Sequence, residues 1–240
     1  IPQMLTYDHV TITEATLLQK EMASKISLAP LEGPIRTIAG ADISFNRTSP
    51  IVYAGIVVLS YPDLRILAHS LVVAETHFPY VSGYLAFREA PALQQAWEQL
   101  PEKPDVVVLD GQGITHPRRL GIASHFGVLN NQPSIGCAKS MLYGRYDEPE
   151  WKKLSASVIY SRLNEPLGYA LRTKDRVKPI YVSPGHMISS RQSLEIIKKC
   201  IRGYRIPEPT RVAHDKVNLF RTGELSAGYV EYPKEDLVDS

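Results

Sequence analysis

The chain has 240 residues, 44% hydrophobic and 22% charged, with a formal net charge of +2 and two cysteines. Such a balance supports one sizeable core and excludes disordered, collagen-like and disulfide-stapled classes. No apolar run approaches the roughly 18–20 residues of a membrane span, and the first residues lack a secretory leader pattern, so a soluble cytoplasmic protein with reduced, buried Cys137 and Cys200 is expected.

Thr11-Ile-Thr-Glu14 has capping-box spacing, and Ala15, Leu18, Met22 and Ile26 follow at helical steps, which predicts an amphipathic helix over 12–26. Pro30-Leu-Glu-Gly33-Pro34 ends it. Strand-like runs at 35–45, 52–60 and 64–73 have short links, Tyr61-Pro62-Asp63 among them, and should be antiparallel neighbours. The stretch 83–100 reads as a helix packing through Tyr84, Phe87, Leu93 and Trp97, and the strand 106–109 after it should pair in parallel across that crossover. Beyond it, 118–129 is predicted helical, 134–138 a strand, and 169–172 with 179–182 a terminal hairpin. Ser189-Ser-Arg-Gln192 caps a helix to about 200, and Pro207-Glu-Pro209-Thr210 opens a last helix through about 221. One domain is expected over 1–223, then an acidic, aperiodic, mobile tail over 224–240. Basic residues gather at Arg118-Arg119, between Arg172 and Lys178, and between Lys198 and Arg205, as candidates for a phosphate-tracking surface.

The chemistry centres on Leu109-Asp110-Gly111-Gln112-Gly113, where a buried strand runs into a carboxylate and a glycine-rich turn, the place where open α/β sheets hold ligands. Asp42 lies in a strand and Glu89 in a helix, giving three acids on three elements. This layout resembles the ribonuclease H-like fold, an α/β mixed sheet flanked by helices. Carboxylates meeting at such a sheet's centre repel one another unless a cation neutralises them, so magnesium is expected, with manganese as a substitute. Taken singly the signals are weak. An Asp-Gly after a strand is usually a turn, a helical glutamate usually faces water, and His116, His125 and His186 read first as structural hydrogen-bonding groups.

Five motifs together are narrower: Phe78-Pro-Tyr-Val-Ser-Gly-Tyr-Leu-Ala-Phe-Arg-Glu-Ala-Pro91, Lys103 through His125, Ile135-Gly-Cys-Ala-Lys139, Ser183-Pro-Gly-His186 and Gly203 through Arg211. In order and spacing they resemble endonuclease V, a family of deoxyinosine-directed repair nucleases, over about 38–214, with the first helix, 147–165 and the tail outside the resemblance. The resemblance implies that Asp42, Glu89 and Asp110 bind metal, that His214 is a fourth active-site position, and that Lys139 lies near the reacting phosphate. Histidine suits a hard cation less well than a carboxylate, which favours a positioning role for His214; Asp215, its helical neighbour, points about 100° away. It also implies a strand-separating wedge at Pro79, Tyr80, Val81 and Ser82, and a lesion pocket of Gly83, Leu85, Gly111, His116, Ile122 and Leu142. The family wording after the tyrosine is Ile-Pro, and Val81-Ser82 loosens that turn. The implied substrate is DNA containing deoxyinosine, cut at the second phosphodiester 3′ to the lesion to leave a 3′-hydroxyl and a 5′-phosphate, by a monomer. Inosine-containing RNA is the alternative substrate. A non-catalytic lesion binder should have lost its acids, and a sugar-kinase-like phosphotransferase should carry two glycine-rich phosphate loops; neither expectation is met by this sequence.

Overall fold

The computed structural model describes residues 4–234, so residues 235–240 of the expected tail lie outside the described residues. In chain order the elements are α1 (Ile12–Ala23), β1 (Thr37–Phe45), β2 (Ile51–Ser60), β3 (Ile66–Glu75), α2 (Leu85–Glu98), β4 (Val106–Asp110), α3 (Ile122–Asn130), β5 (Ser134–Ala138), β6 (Ala156–Tyr160), β7 (Pro166–Leu171), β8 (Ile180–His186), α4 (Ser190–Lys199), α5 (Glu208–Arg221) and β9 (Gly228–Glu231). The described strands form one sheet in the order β6-β7-β8-β5-β4-β1-β2-β3-β9. β1, β2 and β3 are antiparallel neighbours, and β4 pairs in parallel with β1, as the crossover through α2 requires.

Period-two alternation divides the sheet between two apolar layers. Ala39, Ala41, Val107 and Leu109 pack with Phe87, Trp97 and Phe126 of α2 and α3. Ile38, Val106, Val108 and Ile135 face Leu194 and Ile197 of α4 and Val212 of α5. The mixed sheet with helices on both faces is the ribonuclease H-like arrangement. Both cysteines are buried and free, as expected. No helix among the described residues is long and apolar enough to cross a membrane.

Three elements differ from their sequence expectation. α3 begins at Ile122 rather than 118, because Arg119 has a left-handed φ of 61° and Gly121 N–H donates to the Gly113 carbonyl at 2.9 Å, closing a loop where a helical turn was predicted. The hairpin of β7 and β8 is not terminal, since β6 pairs with β7 outside it. Within the stretch expected to be a mobile tail, Gly228–Glu231 pairs with β3, and Tyr232 reaches His69 Nδ1 at 2.7 Å. Four residues are too few for periodicity to reveal a strand, and these are held by an edge already formed elsewhere.

α5 lies unusually close to β1. A Cβ built on Gly40 would overlap the Pro209 carbonyl, so this glycine permits the approach that brings His214 to Asp42 two residues along the strand. Gly40→Ala is expected to cost roughly 1–3 kcal/mol or more through overpacking and to impair activity with it, as a denaturant titration beside a cleavage assay will measure. Unchanged stability would show that α5 moves away freely.

Candidate active site

The register of the two parallel strands pairs Ala41 with Leu109, which sets Asp42 beside Asp110 at the carboxyl ends of β1 and β4. Glu89, on the second turn of α2, approaches the same point from the helical layer. Desolvation, then the charges of Asp110 and Asp42, push the Glu89 carboxyl from 4.5 up to about 8. Asp110 is raised by desolvation and Asp42, with Lys139 opposing the shift. Lys139 Nζ lies 3.2 Å from Asp110 Oδ2, and His214 Nδ1 lies 3.0 Å from Asp42 Oδ2, a hydrogen bond that raises the imidazole pKa. All five sequence-predicted catalytic residues are therefore brought together. Asp215 points away and pairs with Arg211 at 3.4 Å.

A cleft of about 350 Å³ adjoins the acids. Gly83, Leu85, Gly111, His116, Ile122 and Leu142, the six residues expected for a lesion pocket, all line it, together with Glu89, Asp110 and Lys139. Tyr80, two residues before the lining Ser82, is 39% exposed, with the Arg47 guanidinium 4.3 Å from its ring centre and Phe45 packed at 5.8 Å. Gly83 has a φ of +84°, and its carbonyl accepts from His116 Nε2 at 2.8 Å, Gln19 Nε2 at 2.8 Å and Arg118 Nη2 at 3.2 Å. His116 Nδ1 accepts from Arg118 N–H at 3.0 Å. Both ring nitrogens are thereby engaged, the Nε2–H tautomer is set by its partners, and burial holds the ring neutral, pushing it down to about 4. His125, hydrogen-bonded to Tyr7, and His186, which accepts from Ser27 N–H, are likewise internal.

Three positioning residues carried no readable sequence signal. Gln19 on α1 is fully buried and holds Gly83. Arg88 is buried beside Glu89 and donates to the carbonyls of Phe78, Asn46 and Ser49, tying the segment before Pro79 to the β1–β2 turn. Asn218, one turn beyond His214, meets its Nε2 at 3.1 Å. Two arginines of the expected basic clusters serve the fold. Arg172 is 1% exposed and donates to backbone carbonyls of Glu150, Pro149 and Val177, while Arg205 caps those of Lys178, Lys139 and Pro179.

A model of the endonuclease V family matches residues 20–215, a span that takes in 147–165 as well as the motifs. The chain belongs to the endonuclease V family. Endonuclease V of Gloeobacter violaceus is 44% identical over 215 residues, 89% of this chain and 87% of that one; endonuclease V of Dictyoglomus turgidum is 47% identical over 201 residues, 84% and 87% respectively. Among solved structures, endonuclease V of Streptomyces avermitilis superposes with a TM-score of 0.84 at 34% identity, covering 94% of this chain and 98% of that one. Endonuclease V of Ciona intestinalis, in complex with a DNA 24mer containing an inosine followed by a ribo-adenosine, superposes with a TM-score of 0.78 at 30% identity, covering 89% and 99%. As a member of endonuclease V, this chain is a nuclease.

Proposed function

We propose that this nuclease is metal-dependent, acts on DNA carrying deoxyinosine, and hydrolyses the second phosphodiester 3′ to the lesion, leaving a 3′-hydroxyl and a 5′-phosphate. The observation that carries the reading is the juxtaposition of three carboxylates, two of them raised by burial and by their neighbours' charge, with a cleft of about 350 Å³. An all-oxygen donor set of Asp42, Glu89 and Asp110 fits magnesium or manganese, and the raised Glu89 and Asp110 are the signature of charge that a cation would neutralise. Among the described residues no three such side chains already converge as ligands, and Lys139 and His214 hold one oxygen of Asp110 and Asp42. When bound, the ion supplies an activated water and screens the leaving oxygen.

The rest is the work of the chain's own groups. Lys139 offers a point positive charge to the phosphate that reacts. His214, oriented by Asp42 and Asn218, positions water or phosphate. The hypoxanthine base enters the cleft, where Gly83 and Gly111 let backbone approach its edge and Leu85, Ile122 and Leu142 cover its faces. Tyr80 takes the place of the flipped base in the stack. Arg47 and Phe45 pack against that ring.

Cleavage of a duplex bearing one deoxyinosine, with magnesium or manganese against a chelator, tests the reading, with undamaged duplex and inosine-containing RNA alongside. Metal-dependent nicking one nucleotide beyond the lesion supports it; metal-independent or lesion-blind cutting overturns it. The RNA arm has its own motive, the ribo-adenosine beside the inosine in the Ciona complex. Tyr80→Ala is expected to reduce discrimination of inosine about tenfold, the worth of one base-stacking contact, with little change in binding to undamaged DNA. Equal losses on both would remove the wedge assignment.

A further inference from the structure

Across Met141 and Leu142 the cleft adjoins a second hollow of about 280 Å³, walled by these two with Tyr143, Arg145, Tyr160 and Arg162. Met141 and Leu142 line both spaces, so the two are contiguous. One wall follows β5 and the other is β6, and reciprocal Arg145–Tyr160 backbone hydrogen bonds of 2.9 and 2.8 Å tie them together. The Arg145 guanidinium lies 5.5 Å from the Tyr160 ring centre, and that of Arg162 lies 5.9 Å from the Tyr143 ring. Arg119, nearby, is paired with Glu165 at 3.1 Å. Among the described residues, by contrast, neither Arg145 nor Arg162 has a carboxylate partner; the Arg145 side chain meets only the Asn164 amide, and that of Arg162 makes no hydrogen bond.

Two exposed guanidinium groups without counter-ions, set beside two phenol rings, are the elements by which proteins track a nucleic-acid strand: cations on phosphates and aromatic faces on bases. A wall shared with the cleft beside the acids favours a nucleic-acid occupant. We propose that the hollow is a strand-tracking subsite, in which Arg145 and Arg162 contact phosphates of the lesion strand next to the flipped nucleotide while Tyr143 offers its ring to the adjoining base. The proposal rests on the inosine-directed reading above.

Binding to inosine-bearing duplex, measured across a salt series, tests it. The Arg145→Ala/Arg162→Ala double variant is expected to bind about tenfold more weakly at moderate salt. Its log K against log salt slope should be shallower by about 1.8, at about 0.9 for each phosphate no longer neutralised, with turnover at saturating substrate unchanged. The corresponding double lysine variant keeps both charges and should keep the wild-type slope. Shortening the oligonucleotide stepwise on either side of inosine should bring wild type down to the double alanine variant once the strand no longer reaches the hollow. An unchanged slope with inosine preference intact overturns the subsite alone, as does a fall in saturated turnover, which would place the arginines in the chemistry. A wild-type protein without inosine preference overturns the functional reading and the subsite with it.

Discussion

Asp110→Asn is expected to reduce cleavage of inosine-containing duplex by about a thousandfold or more while lesion binding remains measurable. The exchange keeps the size and shape of the side chain but removes one of three charges. The chemistry loses several kcal/mol of charge stabilisation, each 1.36 kcal/mol being tenfold in rate. Binding should persist because Asn keeps the shape of the one lining side chain that changes, the rest of the cleft is untouched, and one repelling carboxylate has gone from the cluster. Lys139 loses its ionic partner, so binding at low salt is expected to tighten slightly as that ammonium turns to the phosphate. A gel-shift titration beside a cleavage time course separates the effects. Near-normal cleavage would remove Asp110 from the metal site, and a fall in binding in step with activity would mean that the substitution damages the cleft itself.

How much of this site was legible in the sequence depends on how local each signal was. Asp110 could be found because hydrophobic strand, acid and glycine turn are consecutive, and Asp42 because it lies in a strand-like run. Their adjacency followed from topology, since a helical crossover makes β1 and β4 parallel, and parallel strands bring their carboxyl ends to one edge. Glu89 was readable as a third acid on its own element, whereas His214, Lys139 and the expected wedge were readable only through the family resemblance, because one loop tyrosine or one lysine has no spacing of its own. Of the four residues expected for the wedge, Ser82 lines the cleft.

Gln19, Arg88 and Asn218 were not legible, for one shared reason. Each acts on a partner distant in the chain: Gln19 on Gly83, Arg88 on Phe78, Asn46 and Ser49, and Asn218 through a histidine whose own partner is 172 residues away. A buried glutamine or arginine looks in sequence like a solvated one, because what distinguishes it is the carbonyl it reaches. The misread elements have the same origin. β6 and β9 are a five-residue and a four-residue strand, each added to an existing sheet, and backbone pairing at an edge leaves little trace in side-chain pattern. Within the basic clusters, Arg172 and Arg205 look in sequence like solvated cations, whereas they donate to the loop carbonyls of Pro149, Val177, Lys178 and Pro179.

Glu89→Gln is expected to abolish cleavage and yet raise the melting temperature of the metal-free protein at alkaline pH. Burial and the neighbouring Asp110 and Asp42 push this carboxyl from 4.5 to about 8. Between those values the folded chain holds a proton that the unfolded chain has released. The stabilising contribution is thus full below pH 4.5 and is lost as pH rises through about 8. Glutamine is neutral throughout and escapes that loss. At pH 8.5 in chelator the variant should melt about 5–10 °C above wild type, corresponding to a few kcal/mol at roughly 2–4 °C per kcal/mol for a chain of this size. Near pH 5 the two curves should converge. Added magnesium should raise the wild-type midpoint by binding only the folded state, and should raise that of the variant less, because one ligand is missing. A variant that melts with or below wild type at pH 8.5 would mean that Glu89 is not held against its neighbours' charge. The expected pattern, an acid that weakens the empty fold and is indispensable to the reaction, is the conflict between stability and activity that arises where charges are gathered for catalysis rather than for folding.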